Sequence, residues 1–156
     1  MQLLTFTVAG EAYAIESRRV VEVLPLVRVR PIPHTPDYVR GIFTYRGRLV
    51  PLVDLGLRLG TGPLAERLST RVVVCEFVIG GREPQRLGIV AENVISICSA
   101  EDADASLPSL VFHDAPFLGK VLRISGRTIQ VLDVDQLLPT DVASGLFPLA
   151  TATNQP

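Results

Sequence analysis

Cys75, Cys98, His34 and His113 carry the donor types that hold a zinc ion, and Asp54 and Asp133 are the kind of paired carboxylates that two-lobed acid–base enzymes oppose across a cleft. Sequence context argues against both. No two of the cysteines and histidines have the close spacing of structural zinc ligands. Asp54 is followed by Leu55-Gly56 and Asp133 by Val134-Asp135, so neither is followed by the hydroxyl residue such enzymes need, and the second lacks the glycine as well. Both acids are expected to cap strand ends or turns instead. The chain has no Gly-x-Ser-x-Gly elbow, Walker loop or dinucleotide fingerprint. The expectation is a binding protein with no catalytic residue, no metal and no cofactor.

The elements that must position any binding surface are strands. From Pro31 to Leu55 the chain reads PIPHTPDYVRGIFTYRGRLVPLVDL. Gly41 to Thr44 and Leu49 to Leu55 are apolar runs of strand formers, and the Arg46-Gly47-Arg48 turn between them predicts a hairpin. Gly47 supplies the positive φ of a three- to five-residue loop. Pro51 lacks an amide hydrogen, which places the return strand at an edge or a bulge. Pro31, Pro33 and Pro36 work against a helix through the entry.

The hairpin pattern is repeated. Gly47-Arg48-Leu49-Val50-Pro51-Leu52-Val53-Asp54-Leu55 returns 79 residues on as Gly126-Arg127-Thr128-Ile129-Gln130-Val131-Leu132-Asp133-Val134, with Gly, Arg and Asp identical. Gly41 and Gly119 open the strand before each copy. A fainter echo, 74 residues apart, relates Ala14-Ile15 to Gly88-Ile89, Val20 to Val94 and Val23 to Ile97. Two copies of this length predict two similar β units packed on each other. The 156 residues, with 47% apolar and 20% charged side chains, suit one compact domain or two intimate subdomains. A net charge of −1 provides no general attraction to nucleic acid or anionic lipid.

Other segments are read from local pattern. Leu4, Phe6 and Val8 alternate with threonines as a half-buried strand, which turns at Ala9-Gly10-Glu11 into Ala12 to Ile15. Ser17 is expected to cap a helical turn carrying Val20, Val21 and Leu24, and Leu26 to Val29 to form a short strand. Arg71 to Ile79 turns at Gly80-Gly81 and returns through Leu87 to Ala91, with Val94 to Cys98 as a further strand. Residues 99–116, with Glu101, Asp102 and Asp104, read as a solvated acidic connection. Ala150 to Pro156 is expected to fray. The opening residues show no basic targeting region and no apolar span of membrane length, which predicts a protein kept inside the cell with free thiols and no direct membrane insertion.

The Pro31 to Leu55 run resembles the CheW family of chemotaxis coupling proteins, in which a proline turn leads to a Gly-apolar strand, an Asn-Leu-Arg-Gly tip and a return strand ending in Asp-Leu. Here the tip is Thr44-Tyr45-Arg46-Gly47, so Arg-Gly is kept and Asn-Leu is replaced. The resemblance extends over residues 3–138, through Phe6 to Ile15, Val20-Val21-Glu22-Val23, Leu87-Gly88-Ile89-Val90 with Val94, and Phe117-Leu118-Gly119 to Leu138. It implies an all-β fold of two packed five-stranded SH3-like β-barrels with short helical turns, the first strand crossing over to complete the second barrel. The domain would cover 1–140, with one subdomain at about 9–74, the other at about 1–8 plus 75–140, and a tail at 141–156.

The resemblance also implies a non-catalytic adaptor that couples the cytoplasmic tip of a chemoreceptor to the regulatory domain of a CheA-type histidine kinase in a chemosensory array. By resemblance Glu22 and Arg46 form an ion pair that matters to coupling, next to Gly47. A groove including Val20, Val94 and Ile97 faces the receptor, and Val72 to Ile79 with Leu87 to Ala91 meets the kinase. The Thr44 and Tyr45 departures leave chemotaxis, surface sensing (Wsp-type) and other chemosensory arrays open. A nucleic-acid-binding double barrel is the alternative, using Arg28, Arg30, Arg40, Arg46 and Arg48 with Tyr38, Phe43 and Tyr45 as a basic, aromatic stripe.

Overall fold

Three hairpins turn on two residues each, and in every case both residues have positive φ: Ala9 and Gly10 at 51° and 81°, Arg46 and Gly47 at 49° and 77°, Ser125 and Gly126 at 52° and 77°. Positive φ at both centres is the requirement of the type I′ turn, whose twist matches that of the strands it joins. The expected three- to five-residue loop at Gly47 is therefore corrected to two, since Tyr45 pairs directly with Arg48. Arg46 shares the left-handed conformation that composition assigned to Gly47 alone.

The computed structural model describes residues 1–149; the Ala150 to Pro156 stretch expected to fray lies outside the described residues. Ten strands follow in order: β1 (Gln2–Val8), β2 (Glu11–Glu16), β3 (Val20–Pro25), β4 (Val39–Tyr45), β5 (Arg48–Asp54), β6 (Thr70–Phe77), β7 (Gln85–Ser99), β8 (Ala105–Leu107), β9 (Leu118–Ile124) and β10 (Arg127–Leu132). Two helices, α1 (Leu55–Arg58) and α2 (Thr140–Leu146), and three 3-10 turns complete them. The all-β expectation holds. Two local expectations do not: Val20, Val21 and Leu24 lie in β3 rather than in a helical turn, which is confined to Ser17–Arg19. The β-branched run Val20-Val21-Glu22-Val23 favours the pleated surface. Leu26 to Val29 forms no strand, and only Arg30 bridges, to Ile42.

Pairing sorts the strands into two groups of five, in keeping with a double barrel. β3, β6, the first half of β7, β5 and β4 pair in that sequence. β1, β2, β10 and β9 join the second half of β7, with short β8 at the edge of β9. The two sequence echoes meet at the parallel pairs. Leu52 faces Gly88 in the first group and Val131 faces Ala14 in the second, and these residues are the ones related by the two offsets. The copies have thus exchanged their leading hairpins: β1–β2 serves the later copy and β6–β7 the earlier one. The expected boundaries after residues 8 and 74 fall between β1 and β2 and inside β6, whose ladder to β7 runs from Thr70 to Phe77. Similarity between copies identifies the repeated unit but not which copy completes which ladder.

Pro51 fits its constraint, because the ladder from β5 to β7 begins one residue later at Leu52. Gly41 is required by close approach. A Cβ there would lie 2.2 Å from the Arg30 carbonyl oxygen, which accepts from the Ile42 amide at 2.9 Å.

The larger core runs from Phe43, Leu52, Val72 and Ile89 in the first group to Phe6, Phe117 and Leu137 at the joint. A smaller one, with Leu3, Leu122, Ile124 and Ile129, fills the second group. Two arginines pin the joint. Arg19 reaches both carboxylate oxygens of Asp135 and donates to the Glu76 carbonyl at 2.8 Å. Arg58 donates to the Leu137 carbonyl at 2.5 Å, with its guanidinium 5.0 Å and 4.6 Å from the Tyr38 and Phe117 ring centres. The stretch expected to be a tail at 141–156 begins inside α2, where Ala143 and the following Phe147 are buried and Phe147 stacks on Phe77.

Candidate functional site

β4 alternates strictly, turning Gly41, Phe43 and Tyr45 inward and Thr44 outward. The tip that follows, Arg46 to Leu49, is exposed throughout, and Leu49 is a large apolar side chain left in solvent. Facing the tip is Glu22 on β3, at a point where the pairing with β6 shifts register between Val20 and Glu22. The Arg46 Nη2 donates to Glu22 Oε1 at 2.9 Å, and the Tyr45 hydroxyl donates to the same oxygen at 2.5 Å. The Arg46 guanidinium lies 5.1 Å from the Tyr45 ring centre. The hydrogen bond to Glu22 is the main cause that pushes the Tyr45 hydroxyl above its ordinary titration range, because ionisation would set phenolate against carboxylate.

Arg46 is 71% exposed and Glu22 39%, so the pair by itself contributes roughly 0–1 kcal/mol to stability. Its weight in the molecule is geometric. Among the described residues no ladder joins β3 to β4, and this cluster links the two strands through side chains. Gly47 completes the tip with space around it where a side chain would otherwise stand.

The groove residues separate. Val20 opens β3 opposite Cys75, whereas Val94 lies on β7 within the irregularity between Glu92 and Ser96, where that strand changes partners, and Ile97 lies beyond it. Val20 and Val94 pack partly against the larger core, and Ile97 is 60% exposed. The face expected to meet the kinase is corrected. Val72 to Cys75, Phe77, Leu87 and Ile89 to Ala91 are buried, with β6 covered by β3 on one side and β7 on the other. Continuous apolar runs of this kind read as surface or interior alike until both neighbours are known.

The basic, aromatic stripe is also dispersed. Arg40 is committed to Asp54, Arg46 to Glu22, and the Phe43 and Tyr45 rings are buried, which removes them as platforms for base stacking. Both aspartates act as caps: Asp54 Oδ1 accepts from the Leu57 amide at 3.2 Å, and Asp133 Oδ1 from the Asp135 amide at 3.1 Å. Among the described residues no group of three His, Cys, Asp or Glu side chains gathers as metal ligands, and no helix is long and apolar enough to cross a membrane.

Burial pushes the Cys75 thiol up to about 12, and the half-buried Cys98 is raised for the same main reason. Thiolate is therefore scarce at both below pH 8. Iodoacetamide at pH 8 is expected to modify Cys98 slowly in the native protein and Cys75 only after unfolding in urea. Peptide mass mapping checks the order, and early native labelling of Cys75 would contradict its enclosure.

Tyr45 is the site residue that sequence reading passed over as a partner of Glu22, since it entered only as a departure from the Asn-Leu-Arg-Gly tip and as one aromatic of the nucleic-acid stripe. Its signal lay in the period. Two places beyond Phe43 and four beyond Gly41, it had to face inward, and a buried tyrosine hydroxyl needs a partner.

An all-β fold of two strand groups, with an ion-paired hairpin tip on its surface, defines the class as a β scaffold. A family model described as the CheW-like domain matches residues 2–142, and the chain belongs to that family. Proteins of this family are non-catalytic scaffolds that, in general, couple chemoreceptors to CheA. The chain is 31% identical over 138 residues to the chemotaxis protein CheW of Treponema pallidum, covering 87% of this chain and 81% of that one. It is 29% identical over 143 residues to protein FrzA of Myxococcus xanthus, covering 89% and 86%. Among solved structures, the crystal structure of scaffolding protein TtCheW from Thermoanaerobacter tengcongensis shares the fold with a TM-score of 0.74 at 23% identity, covering 90% of this chain and 89% of that one.

Proposed function

We propose that this chain joins the cytoplasmic tip of a chemoreceptor to the regulatory domain of a CheA-type histidine kinase at the cytoplasmic face of a receptor array, and that the Glu22–Arg46 tip is part of the coupling surface. The observation that carries the reading is the contact itself. Residues 24 apart in sequence, one on β3 and the other in the β4–β5 turn, meet at 2.9 Å at an exposed hairpin tip. Family membership supports the adaptor role. The exposed Ile97 supports a receptor-facing surface on the second strand group. The two strand groups would act as the two barrels of one CheW-like domain.

The test is assembly. The purified chain is mixed with the CheA-type kinase and a receptor, in membrane vesicles, encoded by the same genome. Co-sedimentation of chain and kinase with the receptor vesicles, together with receptor-dependent control of kinase autophosphorylation, is the expected result. A folded chain that binds neither partner would overturn the reading.

A further inference from the structure

Resting on the assignment of the Glu22–Arg46 tip to coupling, we propose that Tyr45 is a positioning residue whose hydroxyl fixes how the tip is presented to its partner. Three observations converge on it. The hydroxyl and the Arg46 guanidinium share one acceptor, Glu22 Oε1, at 2.5 Å and 2.9 Å. The ring is buried within the first strand group, so its polar end is held by packing. The guanidinium lies over that ring at 5.1 Å, so Arg46 is set from two directions by the same side chain.

An exposed ion pair is too weak to hold two long side chains in one geometry. A carboxylate that also accepts from a buried phenol is a different case, because charge-assisted hydrogen bonds are short and strong and this one is anchored in the core. The hydroxyl also ties β3 to the β4–β5 hairpin across edges that no ladder joins among the described residues. Leucine, which stands beside the arginine in the Asn-Leu-Arg-Gly form of this tip, provides neither the donor nor the ring.

The experiment compares Tyr45→Phe, Tyr45→Leu and Arg46→Glu with the unaltered protein in the receptor–kinase assay, well below the melting temperature of each. Tyr45→Phe keeps the ring and its packing and removes only the donor. It is expected to weaken receptor-dependent kinase control about tenfold, the scale of a hydrogen bond to a charged group, and Tyr45→Leu at least as much. In the intact protein, carbon-13 NMR of the labelled tyrosines should show Tyr45 titrating above the ordinary 10.0 and falling toward it in Glu22→Ala. Tyr45→Phe coupling as well as the unaltered protein, while Arg46→Glu does not couple, would overturn the positioning role and leave the coupling site standing. A normal Tyr45 titration insensitive to Glu22→Ala would overturn it too. Arg46→Glu coupling normally would remove both readings.

Discussion

Arg46→Glu is expected to abolish receptor-dependent kinase control and leave the protein folded. The side chain stands in solvent at a turn, where a charge change usually shifts stability by no more than about 0.5 kcal/mol. Its partner is another matter. Reversal places a second carboxylate beside Glu22, removes the guanidinium fork that a lysine cannot reproduce, and leaves the Tyr45 hydroxyl as the remaining donor to Glu22 in this cluster. Thermal unfolding and the receptor–kinase assay are measured together, with Glu22→Arg as the compensating swap. Recovery in the double variant, with no recovery when the lost positive charge is restored at an exposed position away from the tip, identifies a direct pair, since a general field effect would be restored by either. Full kinase control by a folded Arg46→Glu protein would reject the assignment of this tip.

The largest effect on stability is expected at Asp54. Its carboxylate is 0% exposed and is held by Arg40 through Nε at 3.0 Å and Nη2 at 2.7 Å, while the Leu57 and Leu64 amides donate to it, each at 3.2 Å. Asp54→Ala removes the cap of α1, releases the 59–64 loop and leaves a guanidinium, itself only 20% exposed, without its counter-charge. Breaking one side of a buried pair costs about 3–5 kcal/mol. Asp133→Ala is the internal control. It occupies the repeated position but is exposed and caps through the single bond to the Asp135 amide, so about 1 kcal/mol is expected. Urea unfolding midpoints compare the two. Equal losses would mean that burial and the Arg40 pairing add nothing to the worth of Asp54 as a cap.

What was legible in the chain alone follows the range of the interaction. The hairpin at Arg46-Gly47, the capping aspartates and the repeat are local or periodic signals, and the strands bear them out. The exchange of leading hairpins between copies is not local. It depends on which of two similar partner strands Ala14 and Gly88 join, and the copies carry the same apolar pattern at both. The kinase face failed for a related reason, because Val72 to Cys75 carries no mark telling an uncovered strand from one enclosed by β3 and β7. Val20 was misplaced in a helical turn because Ser17, a residue of cap-forming type, outweighed the β-branched run after it; Ser17 instead lies inside the short turn, where no side chain caps.

The exchange also orders the making of the protein. The first strand group lies wholly within residues 20–92, and its longest closure, Val20 to Cys75 (75 − 20 = 55 residues), is under half that of Ala12 to Ile129 (129 − 12 = 117 residues) in the second. The second needs Ala12 to meet Ile129. Its opening hairpin is synthesised first and must wait, one edge unpaired, until nearly the whole chain exists. Closing so long a loop carries an entropic penalty that a preformed first group reduces, because β7 already holds the strand on which β1 docks. Nesting one copy inside the other thus turns an early-made strand into the last to be secured, and leaves its exposed edge as the vulnerable feature of the nascent chain.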